Sequence, residues 1–261
     1  MIRILFVGDV VGKPGRRALE CHLPSLLESR EVDLCIVNAE NAAGGKGLTR
    51  KVAEELFDQG AHVLTTGNHV WDERDVFELI ENDDRVIRPA NFPPGVPGRG
   101  WNRFRTAGGV EIAIIQIQGR VFMDMIDCPF RTMDSVLQDP GMPTVKIVDF
   151  HADATSEKVA MGWYLDGRIS ALIGTHTHIP TADERILPKG TAYITDVGMT
   201  GPFDSVIGVQ ISPIIDRFIY RLPTRNKVAR DNVKICAVEV DIDEVSGRAL
   251  SIERIILDVD V

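Results

Sequence analysis

The sequence predicts an α/β protein built on mixed β-sheet, and three observations carry that prediction. Through the first third of the chain, short β-type apolar runs alternate with helical stretches, the signature of βαβ units and parallel strands. Near the end, two long alternating runs, 234–243 and 249–258, face each other across a turn at Ser246-Gly247, which favours antiparallel pairing. The hydrophobic share of 44% suits a globular chain with a sizeable core. Helices on both faces would give either a four-layer αββα sandwich or a three-layer αβα one. Residue patterns alone leave both open.

The elements follow in order. Ile2 to Val7 reads as the first strand, and a helix from Pro14 to about Glu28 starts on a proline, where a missing amide costs least. Residues 33–37 form the second run, and Thr49 caps a helix over 50–59. His62 to Thr66 is the third run, followed by a helix near 73–81. Pro and Gly crowd the span 88–100, which reads as a long irregular loop. Runs at 110–117 and 144–150 come next. A helix capped by Thr155 or Ser156 extends to about Leu165, and a sixth run covers 169–173. Residues 184–187 and 191–194 flank Pro188-Lys189-Gly190 as a β-hairpin. No repeat, low-complexity segment or linker divides the chain, so residues 1–261 read as one domain.

The bulk numbers narrow the function. A formal net charge of -9 argues against a broad nucleic-acid-binding face, although bound cations could still draw a nucleotide or an RNA end into a cleft. Cys21, Cys35, Cys128 and Cys236 share no CxxC spacing, so they read as reduced buried thiols rather than a disulfide framework or zinc ribbon. The apolar start, MIRILFVGDVVG, lacks a signal peptide's charged start and long apolar core. No run reaches transmembrane length. The cytoplasm is the expected compartment, with no membrane partner.

Five runs end on metal-capable residues: Asp9, then Glu40-Asn41, then Asn68-His69, then His151, then His176-Thr177-His178. Ligands of open α/β sheets bind beyond the carboxyl ends of the strands, so parallel strands would bring these loops to one edge. Four of the six histidines, 69, 151, 176 and 178, fall just after apolar runs. Imidazole with carboxylate suits Mn, Fe, Co, Ni or Zn. A Glu carboxylate can bridge two cations ~3.5–4 Å apart, and such a pair acidifies the water between them. Each piece has a blander reading: Asp9 as an N-cap, Asn68 as a turn residue, His151 as a satisfied core histidine. His176 and His178 project to one side of an extended segment and are harder to dismiss. The five together are far more specific than any one. Gly8 to Lys13 is no P-loop, having too few residues between its glycines and Pro14 where Ser or Thr belongs.

Gly8-Asp9, Gly67-Asn68-His69 and Gly174-Thr175-His176-Thr177-His178 resemble the blocks of the calcineurin-like metallophosphoesterases. Two departures stand out. Val11 occupies the place of the family's D-x-H histidine, and Glu40 that of an aspartate. With Asn38 to Gly45, Thr66 to Trp71 and Thr195 to Pro202, the chain is similar to the bacterial YmdB-type subgroup along nearly its whole length. The resemblance implies the αββα metallophosphoesterase sandwich with mixed sheets and hydrolysis of phosphodiesters. It also implies 2′,3′- or 3′,5′-cyclic nucleotides as substrates, homo-oligomers, and a tie to regulation of bacterial gene expression and biofilm behaviour. It assigns Asp9, Glu40, Asn41 and His178 to one metal and Glu40, Asn68, His151 and His176 to the other. Glu40 is the bridge, and Asn41 compensates for the missing histidine. Iron or manganese comes first, with zinc, magnesium, cobalt or nickel as alternatives. His69 matches the substrate-facing histidine that protonates the leaving oxygen or stabilises the transition state. Arg120 and Thr155 are further candidates for phosphate contact, against the blander readings of an exposed arginine and a helix cap. The rival functions are a regulatory nucleotide- or RNA-binding protein with incidental turnover, and a phosphomonoesterase.

Overall fold

The computed structural model describes residues 1–259. β1 (Ile2–Val7) leads into α1 (Gly12–Ser29), β2 (Leu34–Asn38) into α2 (Arg50–Asp58), and β3 (Val63–Thr65) into α3 (Val76–Asn82) and β4 (Val86–Ile87). These four strands are parallel neighbours in that order. β5 (Trp101–Arg105) pairs antiparallel with β6 (Glu111–Gln118); α4 (Pro129–Leu137), β7 (Val145–His151), α5 (Thr155–Leu165) and β8 (Ala171–Thr175) follow. β6, β7 and β8 are parallel. β9 (Arg185–Ile186) and β10 (Ala192–Ile194) form the expected hairpin beside β8. The chain then returns to the first sheet through β11 (Gly201–Pro202), α6 (Ile211–Tyr220), β12 (Val233–Ile242) and β13 (Ala249–Asp258). The first sheet runs β11-β12-β1-β2-β3-β4, with β13 also on β12, and the second runs β5-β6-β7-β8-β10-β9.

Strand periodicity decides the layering. In β1, Ile2, Ile4 and Phe6 pack into one cluster with Ile112, Ile114, Ile147 and Ile173 of the second sheet, so the two sheets face each other. Leu5 and Val7 point the other way, against Leu19 and Leu23 of α1 and Val52 and Leu56 of α2. On the far side, Ile115, Val148 and Leu172 pack against Met133 of α4 and Met161 of α5. The result is the four-layer αββα sandwich, and the three-layer alternative is excluded. Fully buried residues of this kind carry ~1.5–3 kcal/mol each through transfer from water, which makes the alternation a strong determinant of register.

Local reading succeeds where side chains speak for the backbone. Thr49 caps α2, its hydroxyl accepting from the Val52 amide at 3.3 Å. Elsewhere it needs correction. Ala154, not Thr155 or Ser156, occupies the cap position of α5, and no side chain caps that helix. The helix expected near 73–81 begins three residues later, at Val76. α4, α6, β4, β5 and β11 fall in stretches where the sequence predicts no element, outside the 88–100 loop. In α6 the apolar residues Ile215, Phe218 and Ile219 face outward, so its pattern does not report a buried face. Among the described residues, no helix is long and apolar enough to cross a membrane.

The cysteines are all free, but only two fit the buried reading: Cys35 and Cys236 are fully enclosed, Cys128 is half-buried and Cys21 is exposed. Burial pushes both enclosed thiols up to about 12. In the native protein a thiol reagent should therefore label Cys21, then Cys128, and reach Cys35 and Cys236 only after denaturation. Peptide mass mapping checks this; native labelling of Cys35 would contradict the packing of β2.

Candidate metal centre

The carboxyl ends of β1, β2 and β3 meet those of β7 and β8 along one edge where the two sheets face each other. Asp9, Glu40, Asn41 and Asn68 come from the first sheet. His151, the last residue of β7, comes from the second, and so do His176 and His178, just beyond β8.

Around His151 Nε2 three atoms converge. Glu40 Oε1 lies at 3.1 Å, Asn68 Oδ1 at 3.0 Å and His176 Nδ1 at 3.0 Å. Burial first, then the neighbouring His151, pushes His176 down to about 3, so its ring is neutral. One ring proton can serve only one of three acceptors. Such a set of lone pairs fits a cation. Against burial, which opposes both charges, Glu40 is held down at about 2 and His151 up at about 9 by their mutual attraction.

The second cluster is Asp9, Glu40 and His178. Asp9 is fully buried, and its Oδ1 has no hydrogen-bond partner among the described residues. It lies 4.0 Å from His178 Nε2 and 3.9 Å from His151 Nδ1. An orphaned buried carboxylate oxygen is costly unless a cation meets it. Asn41 Nδ2 donates to Glu40 Oε1 at 2.8 Å and lies 3.1 Å from His178 Nε2. Turning the amide over presents its oxygen to the same place. The donor set thus fits two neighbouring divalent ions with Glu40 between them.

Residues outside these clusters aim the candidate donor atoms. His178 Nδ1 faces the Ile207 carbonyl at 2.9 Å, which directs Nε2 inward. His151 Nδ1 meets Thr175 Oγ1 at 2.9 Å, and that hydroxyl donates to Asp149 at 2.7 Å. Asp149 also accepts from Asn38 at 3.0 Å and Thr65 at 2.6 Å. Burial lifts its carboxyl to about 7. Beneath the His176-Thr177-His178 turn, the buried Lys158 ammonium donates to Asp196 Oδ2 and to the Thr175 carbonyl, both at 2.6 Å. Asp196 in turn accepts from the Thr177 amide and hydroxyl and from the Gly198 amide. The clamp holds His176 at φ 93° and His178 at φ 67°, backbone that non-glycine residues adopt only when the surroundings enforce it. Gly67 completes the floor: an added methyl would strike the Glu40 carboxylate and the His151 ring.

His69 lines the open cleft of about 810 Å³ over these clusters. Its amide donates to Glu40 Oε2 at 3.3 Å, and its Nδ1 faces Asp72 Oδ2 at 3.0 Å. Arg120 and Thr155 are not brought to the cleft. Both are exposed; the Arg120 amide donates to Glu157, and Thr155 opens α5.

An αββα sandwich with an imidazole- and carboxylate-rich cleft at the facing strand ends defines a metallophosphoesterase. The YmdB-like protein family model matches residues 5–255, and the chain belongs to that family. It is 49% identical over 260 residues to a 2′,3′-cyclic-nucleotide 2′-phosphodiesterase of Bacillus subtilis, spanning 99% of this chain and 98% of that one. A hypothetical protein from Thermus thermophilus superposes with a TM-score of 0.93 at 43% identity, over 98% and 99% of the two chains. A phosphatase from Mycoplasma pneumoniae superposes at 0.92 with 35% identity, over 98% and 94%. The chain is a phosphoester hydrolase.

Proposed function

We propose that this enzyme is a two-metal phosphodiesterase that opens cyclic nucleotides, with the 2′,3′-cyclic phosphates of ribonucleotides foremost. The convergence of three lone-pair atoms on His151 Nε2, beside the orphaned Asp9 oxygen, is the observation that carries the two-metal reading. The cyclic-phosphate preference is supported by the 49% identical relative. Glu40, Asn68, His151 and His176 would hold one ion, and Asp9, Glu40, Asn41 and His178 the other. Bound divalent ions supply charge neutralisation for phosphate oxygens and acidify water. Manganese and iron suit this mixed nitrogen and oxygen set. Because ligands come from both sheets, residues 1–261 would act as one domain. Four free thiols suit the reducing cytoplasm.

His69 is the proton donor to the leaving ribose oxygen, with Asp72 fixing its ring so that Nε2 faces the cleft. Replacing His69 by alanine should lower kcat for a cyclic nucleotide by ~10²–10⁴-fold. Metal content should stay unchanged. Cleavage of bis-p-nitrophenyl phosphate should fall far less, since p-nitrophenolate leaves without a proton. Asp72→Asn should show the same pattern at about tenfold. Equal losses on both substrates would remove His69 from proton transfer.

The reaction itself is tested with Mn²⁺-loaded protein on 2′,3′- and 3′,5′-cyclic nucleotides and on nucleoside monophosphates. Rapid opening of the 2′,3′-cyclic compounds that disappears with EDTA and returns with Mn²⁺ is expected. Turnover of monoesters alone would make the protein a phosphomonoesterase instead.

A further inference from the structure

The cleft continues into a basic shelf. Lys46, Arg217 and Arg221 line the cleft itself, and Asn226 lines both it and an adjoining cavity of about 560 Å³. That cavity is walled by Lys13, Arg17, Arg225, Lys227 and Arg230 and has no acidic residue in its lining. All eight cations are exposed, and none forms an ion pair among the described residues. In a chain with 38 acidic and 29 basic residues, a concentration of unpaired positive charge beside a phosphate-handling cleft is not a solvated average surface. Phe218, 71% exposed, stands between Arg217 and Arg221 and also lines the cleft. Arginines flanking an exposed aromatic are what a nucleotide strand uses, phosphates on the cations and a base on the ring. The segment is held in place: the Gln210 amide donates to the Lys227 carbonyl, and the Ala229 amide to that of Gly208.

A cyclic mononucleotide has one phosphate and one base, and the cleft alone accommodates both. The five cations beyond Asn226 are then left over. We infer that the shelf binds the sugar-phosphate backbone of single-stranded RNA whose 3′ end, closed as a 2′,3′-cyclic phosphate, enters the cleft. The physiological substrate is thus an RNA end, and mononucleotides are its truncated form. This rests on the cyclic-phosphate reading above for the reaction, but on the shelf for the strand.

The test compares an RNA pentanucleotide ending in a 2′,3′-cyclic phosphate with the matching cyclic mononucleotide, using Mn²⁺-loaded full-length protein at about 50 mM salt. KM for the pentanucleotide should be at least about tenfold lower and should rise steeply with salt, since each phosphate neutralised on a single strand adds ~0.7 to the slope of log affinity against log salt. The triple variant Lys13→Glu, Arg17→Glu, Arg230→Glu should erase that advantage and flatten the salt dependence. Its mononucleotide kcat/KM reports folding. Anisotropy of a labelled RNA lacking the cyclic end measures the shelf without turnover. Salt-sensitive RNA binding lost in the triple variant upholds the shelf even if neither substrate is cleaved, a result that sinks only the reaction. Equal KM values for the two substrates in the wild type, or an undiminished preference in the triple variant, overturn the inference.

Discussion

Replacing His151 by alanine should lower phosphodiester turnover by on the order of a thousandfold or more, equivalent to about 4 kcal/mol of transition-state stabilisation. The size follows from position. Three other donor atoms lie within 3.0–3.1 Å of its Nε2, so the change removes the common point of the cluster. His151 is wholly buried, and its loss leaves a cavity. A lower Tm would therefore accompany the loss. Asn68→Ala separates the two effects, because Asn68 is only half-buried and presents its amide oxygen to the cluster from a loop. It should lose most activity and half the bound metal at nearly unchanged Tm. Elemental analysis with thermal unfolding of both variants checks this. Near-normal turnover in both would end the metal assignment.

Lys158→Ala should destabilise the protein by about 3–5 kcal/mol, because it strands the buried Asp196 carboxylate without its cation. For a chain of this size that corresponds to a fall in Tm of roughly 10 °C. The paired variant Lys158→Met with Asp196→Asn removes both charges and should recover much of the loss. Lys158 acts through the turn above it. With the clamp gone, His176 and His178 are free to leave their positive-φ conformations, and Mn²⁺ affinity should fall 10–100-fold, as when a metal ligand loses its supporting partner. An unchanged Tm in Lys158→Ala would refute the clamp.

The contrast between these residues shows what a sequence can disclose. Alternation in Ile2, Ile4 and Phe6 against Leu5 and Val7 announces a strand buried on both faces, and the structure divides those residues between two cores. Asp9, Glu40, Asn68 and the two histidines around Thr177 are conspicuous because polar groups end apolar runs there. Asp149 gives no such signal. It is one polar residue within a strand, and its role exists only once Thr65, Asn38 and Thr175 close around it. Lys158 likewise gives no signal: it is one charged residue in a helical stretch, yet it is wholly buried. Asp72 looks like part of an acidic turn until His69 folds onto it. The choice between three and four layers also lay beyond local pattern, since it depends on which sheet each apolar face meets.

The seam between the sheets has a consequence for biogenesis. Asp9, Glu40 and Asn68 belong to one sheet and His151, His176 and His178 to the other, so neither half alone presents a complete set of donors. In a nascent or unfolded chain these residues are spread over 170 positions and compete poorly for cations. On the two-metal proposal, metal acquisition would therefore be a late event that follows docking of the two sheets, and the ion would then fasten them as a rivet. Cellular metal supply would set how much of the protein persists as well as how much of it is active.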